Sequence, residues 1–86
     1  MPRYIIERNF ADQLDLTKDG VESVKRINEE EEVSWIFSFL SADKKKTYCL
    51  YEAANPEAIR EAARRAGIPA DVIIEVGGEI GPSMFD

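Results

Sequence analysis

The chain contains no histidine. Histidine titrates near neutral pH and is the commonest ligand of transition metals, so its absence removes the usual general acid/base and the usual metal anchor. A serine hydrolase triad is unsupported for the same reason, although Ser34 and Ser38 are present. The single cysteine, Cys49, has no partner for an internal disulfide, which agrees with a reducing compartment. No apolar run approaches the ~20 residues that span a bilayer, and the opening MPRYIIERNF lacks the apolar stretch of a secretory signal. A cytoplasmic location is expected. Positive charge is scarce: 11 Lys and Arg stand against 17 Asp and Glu, a net charge of −6. That balance speaks against nucleic acid and anionic membranes as partners, since both need a basic footprint. Gly77-Gly78 is no phosphate loop, because it lacks the lysine and precedes no helix. A bend in a strand is the better expectation.

What is present is an ordinary globular balance, 44% hydrophobic and 33% charged. Residues 1–86 are expected to form a single domain. Residues 3–8, RYIIER, are rich in β-formers and predict a first strand. Val21, Val24 and Ile27 recur every three residues in TKDGVESVKRINEEEE and predict a helix, capped by Thr17 or Asp19. Its end is expected near Asn28, because the run Glu29 to Glu32 puts carboxylates at the negative pole of the macrodipole. VSWIFSFL predicts a second strand with Val33, Trp35, Phe37 and Phe39 on one side and Ser34, Ile36, Ser38 and Leu40 on the other. The short link SADKKK, with its basic run Lys44 to Lys46, and then KTYCLYEA complete an antiparallel hairpin.

The clearest element is NPEAIREAARRAGIP. Asn55 suits the N-cap, Pro56 the first helical position and Gly67 the C′ position before Pro69. Ala58, Ile59, Ala62, Ala63 and Ala66 form the buried stripe, while Arg60, Arg64 and Arg65 are expected to face water. A last strand is expected over residues 72–76.

The order βαββαβ implies an α+β, ferredoxin-like fold: a four-stranded antiparallel sheet in the order 4-1-3-2, with both helices on one face. The second strand is apolar on both sides, so the other face should also be covered. With no third helix to cover it, a second copy is the expected occupant, giving a homodimer with a cavity between its sheets.

Three glutamates, Glu7, Glu52 and Glu75, fall on strands 1, 3 and 4, which are neighbours in that order. If they share the cavity side they form a carboxylate cluster for a cation or polar ligand. The alternative is exposure at strand ends, or pairing with Arg3 and Arg8. Trp35, Ser38 and Tyr48 join Glu7 and Glu52 as candidate ligand contacts, against plain packing. Tyr48 and Tyr51 are an odd number of residues apart, so at most one of them faces the same side as Trp35. Cys49 is either a small buried residue, or a redox thiol or soft metal ligand, the latter beside Glu7, Glu52 and Glu75.

RYIIERNF, VSWIFSF, KTYCLYEA and PEAIREAARRAGIPADVIIEV together resemble a small bacterial domain-of-unknown-function family described as nickel-binding, over about residues 3–76. The resemblance implies a ferredoxin-like, dimeric α/β fold and nickel or another divalent metal as the cofactor. A chain without imidazole departs from the usual nickel donor set, leaving carboxylates and Cys49. The function expected is non-catalytic binding of a small ligand or metal ion by a homodimer. The alternatives are a cofactor-free dimeric α/β-barrel enzyme, of isomerase or monooxygenase type, on a small hydrophobic substrate, or a protein-interaction module.

Overall fold

The β-forming opening run is strand β1, Arg3–Asn9, in a computed structural model that describes residues 1–85. Helix α1 (Lys18–Glu30), strands β2 (Ser34–Leu40) and β3 (Lys46–Glu52), helix α2 (Pro56–Ala66) and strand β4 (Val72–Val76) follow. A short 3₁₀ turn, Pro82–Phe85, ends the described chain. The strands form one antiparallel sheet in the order β2-β3-β1-β4, the ferredoxin-like arrangement. No helix among the described residues is long and apolar enough to cross a membrane.

Local chemistry explains each helix. Asn55 caps α2, its side chain accepting from the Ala58 amide at 2.9 Å, and Pro56 opens the first turn. Gly67 ends the helix in the left-handed region at φ 70°, with the Ile68 amide bonded back to Ala63 O. Thr17, rather than Asp19, caps α1 by accepting from the Gly20 amide at 3.1 Å. That helix runs to Glu30, two residues beyond the expected stop near Asn28. Arg65 explains the extension. Exposed as expected, it reaches along the surface from α2 to both Glu30 and Glu31, at 3.0 Å for the latter. A cation thereby answers the carboxylates that oppose the α1 dipole.

The core lies between the helices and one face of the sheet. Tyr4, Ile6, Cys49 and Tyr51 project from β1 and β3 onto Ile27 of α1 and Ile59 and Ala62 of α2. Strand β2 departs from simple alternation. Trp35 pairs with Tyr51 and Phe37 with Leu50, so Ile36 is an extra residue with no partner. Such a bulge switches which side chains share a face. Trp35 therefore sits on the helix side with Ser38 and Leu40, and parts company with Phe37 and Phe39. The expected grouping of Trp35, Phe37 and Phe39 on one side is corrected by that single inserted residue.

Candidate functional site

The strand registers divide the expected site residues between two layers. On the outer face of the sheet, directly paired residues form three rows. These are Phe39–Tyr48–Glu7–Val72, then Phe37–Leu50–Ile5–Ile74, then Ser34–Glu52–Arg3–Val76. No helix covers this face. Phe39 is 66% exposed and Ile74 58%, and the rings of Phe37 and Phe39 meet edge to face at 5.4 Å. Glu7 and Glu52 lie here but stand two rows apart. Glu7 pairs with Lys46 at 3.4 Å and Glu52 with Arg3 at 3.1 Å. The Lys46 ammonium also lies over the Tyr48 ring, 5.8 Å from its centre, and its hydrogen bond to Glu7 pushes its pKa up.

Glu75 is on the other side of the sheet, paired across from Tyr4. The three strand carboxylates thus do not converge in one chain. Cys49 also faces the helices, buried, with its thiol donating to Thr47 Oγ1 at 3.5 Å. Among the described residues no three Asp, Glu, Cys or His side chains gather in a way that holds a metal ion. The donors that the described residues of one chain bring together do not fit nickel.

Trp35 and Ser38 belong to the inner layer, where the indole Nε1 donates to Ser38 Oγ at 2.8 Å. They line a cleft of about 370 Å³ between the sheet, the N-terminal half of α1 and the segment 10–17. The cleft exists because α1 is buried against the body at Ile27 and Asn28, near its C-terminal end. Val21, Val24, Leu14, Phe10 and Leu40 supply apolar walls, and Thr47, Tyr51 and Arg8 supply polar groups. The segment is tied down by backbone bonds from Phe10 to Lys45 O and from Leu14 to Lys44 O. Tyr51, not Tyr48, is the tyrosine that shares a side with Trp35. Burial pushes the Tyr51 phenol up, against opposing effects from Arg8 and from the Asn28 amide bonded to it at 3.4 Å, so it is neutral near pH 7.

Arg8 was expected, if anywhere, as a partner of the strand glutamates. Instead it continues the alternation of Tyr4 and Ile6 into the core and is 3% exposed. Its Nη1 donates to Pro69 O at 2.6 Å, and its guanidinium lies 5.6 Å from the centre of the Tyr51 ring. The signal was available: an arginine in phase with buried positions of β1 points inward.

The model of a family described as nickel responsive protein SCO4226-like matches residues 4–76. No curated protein matches the sequence. Among solved structures, the crystal structure of SCO4226 from Streptomyces coelicolor A3(2) is similar, with a TM-score of 0.75 and 22% identity. The match covers 91% of this chain and 99% of that one. At such identity the likeness speaks for the fold, and the family model carries the assignment. This chain belongs to the SCO4226-like family of nickel responsive proteins.

Proposed function

We propose that this protein is a non-catalytic binding protein that acts as a homodimer, its two copies joined through their outer sheet faces around a small molecule or a divalent metal ion. The observation that carries the reading is the apolar outer face, where Phe37, Phe39, Leu50, Ile5 and Ile74 lie uncovered by any helix. A contiguous apolar patch of this kind marks an interaction surface. A second copy suits it because an isologous contact needs only one self-complementary patch.

Nickel(II) is the ion suggested by the family's description. Since one chain's donors do not fit it, an ion would have to draw on both copies. Isologous pairing supplies each donor twice, so Glu7 and Glu52 of both chains are the oxygen ligands on offer. Each would first have to leave its cation, Lys46 or Arg3.

Light scattering after size exclusion tests the pairing. A dimer is expected at micromolar concentration, and Phe37→Asp should yield a folded monomer. A wild-type monomer under those conditions would sink the proposal. Calorimetric titration with Ni²⁺ tests the ion. Saturable binding that survives unchanged in a Glu7→Gln, Glu52→Gln double variant rejects a carboxylate site between the sheets.

A further inference from the structure

Arginine is seldom fully buried unless its charge is paired. Arg3, Arg60, Arg64 and Arg65 follow that rule, each meeting a glutamate at or near the surface. Arg8 does not. It is 3% exposed, yet no carboxylate of the described residues lies within ion-pair distance of it. Its neighbour Glu7 points to the opposite face of the sheet and is taken by Lys46. Its guanidinium is held by a backbone carbonyl and the Tyr51 side chain, which leaves part of its donor fork without a carboxylate.

The geometry points to an anion as the missing partner: the cleft beneath the sheet binds a small monocarboxylate with an apolar body, anchored by Arg8. This site lies on the other layer from the sheet-face cavity and stands independently of it. Arg8 lines the cleft, and no buried side-chain nitrogen among the described residues lacks a hydrogen-bond partner. The N–H groups that do not reach Pro69 therefore look onto accessible space. A guanidinium offers a planar fork matched to a carboxylate. The Thr47 hydroxyl and the neutral Tyr51 phenol line the same wall and add donors for its oxygens. Beyond this polar end the lining is apolar, with Trp35, Val21 and Leu14 placed to hold a ring or short alkyl chain. A doubly charged phosphate fits less well, because one guanidinium is the only cation lining the cleft. The cleft's volume lies within the range of small-molecule sites, ~300–1,000 Å³. Among the described residues Asp15 is the one acidic group on the lining, and it is exposed and makes no ion pair.

Trp35 is the sole tryptophan and lines the cleft, so its emission reports occupancy. The intact protein is titrated with acetate, hexanoate and 3-phenylpropionate, and with 3-phenylpropionamide as the uncharged counterpart. Hexanoate and 3-phenylpropionate are expected to change the emission saturably and to raise the melting temperature. The amide should bind at least tenfold more weakly than its acid, and acetate more weakly than both longer acids. Arg8→Met should abolish the preference for acid over amide. Should that variant fail to fold, Arg8→Lys keeps the charge without the fork and should bind 3-phenylpropionate several-fold more weakly. The proposal is overturned if none of the acids moves Trp35 emission in the wild-type protein. It is equally overturned if acid and amide bind alike, if the preference survives in Arg8→Met, or if Arg8→Lys binds 3-phenylpropionate as tightly as the wild-type protein. Dimerisation is read separately by light scattering, so loss of one property leaves the other measurable.

Discussion

Two residues show how backbone conformation bears on stability here. Gly67 caps α2 in the left-handed region at φ 70°, and Glu32, the second residue past the end of α1, lies there at φ 58°. Glycine takes that conformation freely, whereas a residue with a β-carbon is strained there by roughly 1–2 kcal/mol. A β-carbon added at Gly67 meets nothing within 4 Å, so the penalty of Gly67→Ala is purely conformational. That variant should lose about 1 kcal/mol. Glu32→Gly removes the strain but gives the unfolded chain more freedom, and should gain about 0.5 kcal/mol. Urea unfolding of both variants checks the pair. A Gly67→Ala protein as stable as wild type would show that the C′ position carries no strain.

At the scale of elements, the β2–β3 turn is held by one carboxylate. Asp43 Oδ1 accepts from Ser41 Oγ at 2.7 Å and from the Lys45 amide at 3.0 Å, while Ser41 Oγ accepts from the Lys46 amide at 3.0 Å. The Ser41 bond first, and the Lys45 amide second, hold the Asp43 carboxyl below the ordinary aspartate value, which is about 3.9. A lowered folded-state pKa contributes stability that is complete above the unfolded value and disappears as pH falls through the folded one. The stability gap between wild type and Asp43→Asn should therefore be widest near neutrality and close below about pH 4. Urea midpoints at pH 7 and pH 3 measure it, and a constant gap would refute the assignment. The elements themselves were largely legible in the sequence, most fully in α2, where Asn55, Pro56, the alanine stripe and Gly67 all agree. Strand β2 was legible as a strand but not in its facing. A bulge at Ile36 leaves no mark on a segment that is apolar at almost every position, and the insertion alone sends Trp35 to the helix side. The same ambiguity hid the inner cleft. The inward phase of Arg8 is readable in the alternation of β1, but the depth of its burial depends on helices packed from elsewhere in the chain.

For the whole molecule, the proposed pairing of outer faces ties stability to protein concentration. The chain exposes 6002 Å², against about 5,100 Å² for a compact monomer of its mass. Its radius of gyration is 13.7 Å, where about 12 Å is usual at this length. The excess of ~900 Å² over that rule includes the exposed tail around Ile80 and Phe85 as well as the uncovered outer face. Folding and association would then be linked, because a small domain with an uncovered apolar face is only marginally stable alone. Linkage has a signature that shape does not. With an unfolding enthalpy of about 0.7 kcal/mol per residue, two chains together absorb about 120 kcal/mol, so each tenfold rise in protein concentration should raise the melting temperature by roughly 4 °C. Calorimetry at about 5, 50 and 500 µM reads this directly, since a monomer melts at one temperature throughout. Phe37→Asp places a charge in the middle row of the outer face and should both lower the melting temperature and remove its dependence on concentration. A wild-type melting temperature that stays fixed over those two decades would leave the outer face without its second copy, and the extra surface would have to be explained by the chain's elongated outline alone.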